Sequence, residues 1–132
     1  MEIIYRSGTI PTATQVIDLY NNAGLPRPTN DEDRIRKMFE NSNVIITAWH
    51  DDLLIGVSRA ITDWVWSSYL ADLAIRKDYQ NAGIGKKLIT LTKETVGEQS
   101  MVLLLSVPDA MEYYPKVGFT KLDNSFMIHR AK

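Results

Sequence analysis

The stretch YLADLAIRKDYQNAGIGKKLITLTKETV, residues 69–96, decides the fold because its pattern changes from strand to loop to helix without a break. Leu70–Ile75 is a short apolar run interrupted only by Asp72, which is typical of a strand. Gly83 and Gly85 follow in a loop, and the segment after Gly83 is apolar at helical spacing, at Ile84, Leu88, Leu91 and Val96. The sequence therefore predicts a glycine loop that leads from a strand into the N-terminus of a helix.

This predicted loop has the properties of an anion-binding site. The first N–H groups of a helix have no partner within the helix, and the helix dipole places about half a positive charge there. Gly83 and Gly85 lack the Cβ atoms that would hold an anion away from the main chain. Lys86 and Lys87 add positive charge. The loop is therefore a candidate site for phosphate groups.

The spacing of the loop excludes two common phosphate-binding motifs. A Walker loop ends in lysine followed by serine or threonine, whereas Lys86 comes only three residues after Gly83 and is followed by Lys87. The dinucleotide-binding fingerprint requires a third glycine or alanine at the position of Leu88. The remaining pattern is Gln-x-x-Gly-x-Gly, residues 80–85.

Periodicity along the chain predicts the element order β α α β β β α β α β β. The predicted strands are residues 2–6, 44–49, 53–61, 70–75, 101–107, 119–122 and 126–130. The predicted helices are one opened by the capping box Thr12-x-x-Gln15, one capped by Thr29 or Asn30, a long one ending at Gly97, and a short one from Pro108 to Tyr113 or Tyr114. Residues 101–107 are all apolar except Ser106, so we expect that strand to be buried on both faces. This order favours a mixed α/β sheet flanked by helices.

Composition limits the class of protein. A chain of 132 residues predicts one domain, residues 1–132. A net charge of −1 gives no general attraction to nucleic acid or to an anionic membrane, and the absence of cysteine excludes thiolate nucleophiles and disulfides. The first residues, MEIIYRSG, do not resemble a signal peptide, and no apolar stretch approaches membrane-spanning length. We expect a soluble cytoplasmic protein with no nucleic-acid or membrane partner.

Two motifs in this chain resemble one family. The pattern Gln80-x-x-Gly83-x-Gly85, between a strand and a helix, resembles the acetyl-CoA pyrophosphate loop of the GCN5-related N-acetyltransferase (GNAT) superfamily. The segment AMEYYPKVGF, residues 110–119, is similar to that family's Ala-x-x-[aromatic/Leu]-Tyr-x-x-x-Gly-Phe motif. The predicted element order is also similar. The resemblance implies an α/β GNAT fold with a mixed sheet of about six to seven strands and about four helices.

The resemblance also implies an activity and a co-substrate. It implies an N-acetyltransferase that transfers the acetyl group of acetyl-CoA to a primary amine by direct attack in a ternary complex, without a metal. In the family, the strand before the loop and the strand after the long helix splay apart around the pantetheine arm. The main chain of Leu73, Ala74 and Ile75 would then bind pantetheine. The loop residues that would bind the rest of the cofactor are Gln80, Asn81, Ala82, Gly83, Ile84, Gly85 and Lys86.

Acyl transfer needs a proton for the departing thiolate and a group that takes the proton of the amine. A tyrosine hydroxyl, with a pKa of about 10, can protonate a thiolate held against it. The family motif gives this role to Tyr114. Asp72 is the candidate base, because it lies beside the proposed acyl site, and strand alternation predicts that it shares a face with Leu70 and Ala74. An ordered water could take the proton instead.

The candidate catalytic residues also have structural interpretations. Asp72 could pair with Arg59 or Arg76 and play no part in proton transfer. Tyr113 and Tyr114 could be an aromatic pair that packs a short helix. The glycine loop upstream favours a catalytic Tyr114, with Tyr113 in the core or in a pocket wall.

The acceptor is expected to be a small-molecule amine or an amine of a peptide or protein. Trp64 and Trp66 could line its pocket together with Tyr113, although aromatic residues near the end of a sheet often only pack. Val107 stands where many family members carry an asparagine that contacts pantetheine, so that contact is expected to be absent or made by Asp109.

Three further alternatives remain open from the sequence, and the weakest is a nucleotide-binding regulator that uses the loop for ATP, because Walker residues and an obvious set of magnesium ligands are missing. A non-catalytic module that binds acyl-CoA as a sensor would keep the loop without needing Tyr114 or Asp72. Strands at the C-terminus could also pair two copies of the chain into a homodimer. His50 and His129 are too far apart in sequence to indicate a metal site.

Overall fold

The structure, a computed structural model, describes residues 2–132 and contains one mixed five-stranded sheet. The strands are β1 (Ile4–Ser7), β2 (Val44–His50), β3 (Leu53–Thr62), β4 (Ser67–Ile75) and β5 (Met101–Leu104), and they lie side by side in that order. The first four strands are antiparallel neighbours, whereas β5 runs parallel to β4. The predicted mixed α/β sheet is confirmed.

Helices cover both faces of this sheet. They are α1 (Ala13–Ala23), α2 (Glu32–Glu40), α3 (Ile84–Val96) and the short α4 (Tyr113–Lys116), which follows a 3₁₀ turn at Pro108–Ala110. Buried residues of α1 and α2, such as Leu19 and Phe39, pack on one face, and Leu88 of α3 packs in a second core on the other. Within residues 2–132, none of the helices has the length and apolarity needed to cross a bilayer.

The two N-terminal helices begin with side-chain caps. The Thr12 hydroxyl accepts the Gln15 N–H at 3.1 Å, and the Gln15 side chain accepts the Thr12 N–H at 2.9 Å, so the predicted capping box is present. The second helix begins one or two residues later than expected. Its cap is the Asp31 carboxylate rather than Thr29 or Asn30, because a carboxylate is favoured at the positive end of a helix.

A β-bulge at Ala71 resets the alternation of β4. Arg59 pairs with Asp72, but the next residue of β3 pairs with Leu70, so Ala71 is an extra residue in β4. The expectation that Asp72 shares a face with both Leu70 and Ala74 is therefore half wrong. Asp72 faces α1 and α2 with Ala74, which packs in that core, while Leu70 packs in the core on the side of α3.

The two predicted C-terminal strands, residues 119–122 and 126–130, do not form in this structure, so the sheet has five strands rather than six to seven. This part of the chain pairs with no strand, and Phe126 and Ile128 are 99% and 100% exposed. For the same reason β5 has a single neighbour, and Met101 on it is 51% exposed. The prediction that residues 101–107 are buried on both faces is therefore wrong.

Candidate active site

A gap opens halfway along β4, at the point where β5 ends and the chain after it no longer pairs with β4. The strands pair from Ser67 opposite Met101 to Leu70 opposite Leu104, and beyond these residues β4 continues to Ile75 beside β3 alone. A small cavity of about 90 Å³ lies at the point of separation. It is lined by Leu25, Arg27, Leu70, Ala71, Leu73, Leu104, Leu105, Val107, Ala110 and Tyr114.

The free edge of β4 presents main-chain hydrogen-bonding groups to this gap. The Arg76 N–H donates to the Ile55 carbonyl across β3 at 2.7 Å. Because main-chain groups alternate in direction along a strand, those of Ala74 face β3, and those of Leu73 and Ile75 face the gap. The structure thus brings Leu73 and Ile75, but not the main-chain groups of Ala74, to the edge where a cofactor arm was predicted to bind.

The loop after β4 carries a run of free main-chain donors. Among the described residues, the N–H groups of residues 81–86 find no acceptor. Asn81 and Gly83 both adopt the left-handed conformation, with φ of 65° and 79°, which bends the loop into the start of α3. Gln80 plays a different part, because its side-chain amide donates to the Ile75 carbonyl at 2.9 Å and so braces the loop against the strand.

Positive charge accompanies these donors. Lys86 and Lys87 lie in the first turn of α3 and are exposed, and α3 has no acidic residue in that turn. Free N–H groups, a helix N-terminus and two ammonium groups together suit a phosphate or pyrophosphate. The loop therefore offers donors and positive charge of the kind that an anion site needs, and anion binding by this loop stays a prediction.

Tyr113 packs over the glycine loop. Its hydroxyl oxygen lies 2.6 Å from the place that a Cβ on residue 85 would occupy, so only glycine fits at Gly85 without displacing the ring. Burial raises the pKa of Tyr113. The sequence proposed Tyr113 as an acceptor-pocket residue, and the structure places it beside the anion-binding loop instead.

Tyr114 lies at the gap. Its ring is half-buried and packs edge-on against Tyr113 and Phe119, with ring centroids 5.3 and 5.5 Å away. Burial, followed by the neighbouring Tyr113, raises the pKa of Tyr114, while the positive charge of Arg27 opposes the rise. The hydroxyl is therefore protonated at neutral pH, and it forms no hydrogen bond within residues 2–132. Tyr114 thus stays the predicted proton donor at the gap.

Asp72 is fully buried on the other side of β4 and accepts three hydrogen bonds from side chains. The Tyr20 hydroxyl and Arg59 Nε donate to Oδ2 at 2.6 and 2.7 Å, and Arg27 Nε donates to Oδ1 at 2.6 Å. Arg27 also donates through Nη2 to the carbonyl of the bulge residue Ala71 at 2.8 Å. The carboxylate thus joins α1, the loop after it, β3 and β4.

The ionisation of Asp72 follows from these contacts. Burial raises the pKa of its carboxyl, but the hydrogen bonds and charges of Arg59, Tyr20 and Arg27 outweigh burial and hold the pKa below its usual value. A carboxylate so stabilised is a weak base. The structure therefore favours the pairing of Asp72 with Arg59 among the alternatives, whereas Arg76 pairs with Asp18 at 2.7 Å.

Arg27 and Tyr20 are site residues that sequence reasoning missed. Arg27 lies at the gap and is held there by Asp72 and Ala71. Its one sequence signal is its place between Pro26 and Pro28, which stiffen the loop that presents it. Tyr20 gave no such signal, because its position on the apolar face of α1 is that of an ordinary core residue.

Trp64 and Trp66 do not reach the gap. They lie in the turn before β4, at the end where β4 and β5 are still paired. The Asp63 carboxylate accepts the N–H groups of the three residues 65–67 and so fixes the turn, in which Trp64 is about half exposed and Trp66 is largely exposed. The structure does not bring these residues together with Tyr114.

Comparison with known proteins identifies the family. The sequence model of the acetyltransferase (GNAT) domain matches residues 20–129. The chain belongs to the GNAT family of acetyltransferases. The GNAT fold is shared with a protein of unknown function, a probable acetyltransferase, from methicillin-resistant Staphylococcus aureus, with a TM-score of 0.86, 24% identity and coverage of 99% of this chain and 100% of the other. A GNAT family acetyltransferase from Streptococcus pneumoniae has a TM-score of 0.79 at 23% identity, over 98% and 99% of the two chains.

Relatives found by sequence are themselves described as uncharacterized N-acetyltransferases. An uncharacterized N-acetyltransferase ycf52 from Pyropia yezoensis is 29% identical over 94 residues, which are 67% of this chain and 54% of that protein. A ycf52-like N-acetyltransferase from Prochlorococcus marinus is 29% identical over 93 residues, 66% of this chain and 52% of that protein. The chain thus spans about half the length of these curated relatives.

We expect the substitution Asp72→Asn to lower the free energy of unfolding by about 3–5 kcal/mol, because it leaves the buried guanidinium of Arg59 without its charged partner. Asp18→Asn is the matched control. It removes the carboxylate from Arg76 at an exposed position and should cost less than about 1 kcal/mol. Urea unfolding monitored by circular dichroism measures both values.

The same pair of variants should differ in their response to acid. The pKa of Asp72 is lower in the folded state, so its stabilisation is present above its unfolded pKa, about 3.9, and is lost as pH falls through the folded value. Wild type and Asp18→Asn should lose this stability below about pH 4, and Asp72→Asn should not. Equal losses for Asp72→Asn and Asp18→Asn, in urea or in acid, would contradict the assignment.

A second prediction concerns the contact between Gly85 and Tyr113. Gly85→Ala should lower the melting temperature, because the new methyl group meets the Tyr113 hydroxyl at 2.6 Å. Gly85→Ala should become neutral or stabilising in a Tyr113→Phe background, since alanine is favoured over glycine in a helix by about 1 kcal/mol. Differential scanning fluorimetry of wild type, the two single variants and the double variant measures the four melting temperatures of this double-mutant cycle. Additive changes in melting temperature would disprove the contact.

Proposed function

We propose that this GNAT-family protein is an acetyl-CoA-dependent N-acetyltransferase that acetylates a primary amine by direct attack in a ternary complex. The observation that carries the proposal is the gap between β4 and β5. It leads from the acceptor-free amides of residues 81–86, past the free edge of β4, to the hydroxyl of Tyr114. Each of these parts suits a different portion of one elongated thioester.

The residues around the gap carry groups that would bind the parts of acetyl-CoA. The amides of residues 81–86 and the ammonium of Lys86 would hold the pyrophosphate, whose two phosphates need several donors and positive charge. The outward-facing main-chain groups of Leu73 would pair with the amides of pantetheine as a neighbouring strand would. Val107, which lines the gap, offers no side-chain hydrogen bond to replace the missing asparagine.

Tyr114 would act as the general acid. A thiol has a pKa of about 8.5, so its thiolate is a fair leaving group and needs only a weak acid beside it. The Tyr114 hydroxyl is protonated, borders the gap and has no competing acceptor in the described chain. Proton transfer from such a positioned group contributes about 10²–10⁴-fold to a rate.

The amine would lose its proton to water rather than to Asp72. The three donors around Asp72 occupy its two oxygens, and its lowered pKa makes it a poor proton acceptor. The cluster can still assist, because two guanidinium groups, Arg27 and Arg59, accompany one carboxylate. The resulting net positive charge disfavours an ammonium ion near the gap and so favours the neutral, reactive amine.

The acceptor would approach beside the loop that follows α1. Leu25 and Arg27 of this loop line the gap, whereas Trp64 and Trp66 lie at the far end of β4. The guanidinium of Arg27 uses three of its five N–H donors on Asp72, Pro26 and Ala71. The other two remain for an acceptor, which would be a small-molecule amine or an amine of a peptide or protein.

Calorimetric titration with acetyl-CoA, CoA and ATP tests the cofactor. We expect acetyl-CoA and CoA to bind and Gly83→Glu to abolish binding, because the new carboxylate would lie among the anion-binding amides. Gly97→Glu is the matched control, since Gly97 also has positive φ, at the other end of α3, and an equally open surrounding. Absence of acetyl-CoA binding to the wild type, or equal loss in both variants, would refute the proposal.

A screen of amines with acetyl-CoA then tests catalysis. Tyr114→Phe should lower kcat by at least about 10²-fold while leaving acetyl-CoA binding intact, because it removes only the proton donor. Tyr113→Phe is the control and should keep most of the activity. Tight acetyl-CoA binding without turnover of any amine would support the alternative of a non-catalytic acyl-CoA sensor.

A further inference from the structure

A second and larger opening lies on the outer side of β5. This opening, the β5 groove, has a volume of about 790 Å³ and is bounded by β5, by α3 and by side chains from residues 111–125, among them Tyr114. Its walls are mainly apolar and include Ile89, Leu103 and Leu122. The groove borders the unpaired edge of β5, whose main-chain groups face it. An unpaired edge beside an apolar groove is a place where another strand can bind.

The last residues of the chain have the properties of a strand without a sheet. We call residues 126–132 the arm. Its apolar side chains are uncovered, with Phe126 and Ile128 almost completely exposed and Met127 half exposed. The main chain of residues 120–131 makes no main-chain hydrogen bond within the described chain. Aromatic and β-branched residues are favoured in strands, so the arm is suited to pairing that its own chain does not provide.

The arm does not fill the groove of its own chain. Its last residue, Lys132, accepts a hydrogen bond through its carbonyl from Arg34 Nη2 at 2.8 Å. Arg34 belongs to α2, which packs on the face of the sheet opposite α3, whereas the β5 groove lies against α3. The arm is therefore directed away from the groove, and its apolar residues remain in water.

We propose that the protein forms a symmetric homodimer in which the arm of each copy lies as an added strand in the β5 groove of the other. The proposal does not depend on the acetyltransferase activity. A second copy is the occupant that the chain itself supplies, because every molecule carries one unfilled groove and one unpaired arm. When two molecules exchange their arms under twofold symmetry, both grooves are filled and both arms are paired. Domain swapping exchanges identical elements between protomers in the same way.

The exchange accounts for three observations together. Residues 126–130 match β5 in length, so one arm can pair with the whole edge of that strand. The side chains of Phe126 and Ile128, which point to the same side of an extended strand, would enter the apolar groove. The exposed half of Met101 would be covered as well. Burial of these side chains supplies the free energy of association.

Sedimentation velocity over a range of protein concentrations tests the dimer. We expect wild type to be dimeric and Ile128→Asp to be at least 10-fold weaker in association, with an unchanged circular dichroism spectrum. Ile10→Asp makes the same substitution at an exposed isoleucine outside the arm and groove and should stay dimeric. A wild type that is monomeric at every concentration, or an Ile128→Asp variant that associates as well as wild type, would overturn the proposal.

Cross-linking tests the proposal even if Ile128→Asp unfolds, since it uses different variants. The chain has no cysteine of its own, so an introduced cysteine is the only thiol that can react. Met101→Cys and Ile128→Cys, prepared as separate single variants with one tagged, are refolded together and treated with a short bismaleimide. A covalent product that contains both chains is the expected result. The double variant Met101→Cys/Ile128→Cys distinguishes the alternative: a product of monomer mass would show that the arm closes on its own chain and would overturn the exchange.

Discussion

The rest of the structure depends on the burial of one carboxylate, that of Asp72. A buried charge is stable only when partners replace the water that it has lost. Here Tyr20, Arg59 and Arg27 supply those partners from α1, from β3 and from the loop after α1. The cluster therefore fixes the position of three separate segments relative to β4, and it does so on the face of the sheet away from the α3 core.

The bulge at Ala71 connects this cluster to the gap. Without the bulge, regular alternation through Ala71 would place Asp72 on the same face as Leu70, in the core beneath α3. With it, the carboxylate faces α1 while the carbonyl of Ala71 is held by Arg27. The irregularity lies one residue from Leu70, where β4 and β5 cease to pair. The bulge thus lies next to the point at which the free edge of β4 begins.

Sequence patterns predicted the parts that depend on local rules. The helix caps, the glycine loop before α3 and the mixed sheet follow from spacing and residue type, and the motif around Tyr114 indicated a GNAT fold. The bulge could not be predicted, because it depends on how β4 pairs with β3, and the alternation of residues within β4 does not reveal that pairing. Tyr20 and Arg27 escaped notice because their contacts with Asp72, and that of Arg27 with Ala71, join residues more than 40 positions apart in sequence. The C-terminal strands were expected from composition, but residue preference does not determine whether a segment pairs with an available edge, here that of β5.

Arg27 belongs both to the loop beside the gap and to the buried cluster. A substitution there that altered which molecules the gap admits would at the same time leave Asp72 with one partner fewer. Such a change would have to be accompanied by a second one elsewhere in the fold. The capacity of this loop to evolve new preferences is thus limited by the stability of the sheet behind it, and its variation is expected to come from residues that do not contact the cluster.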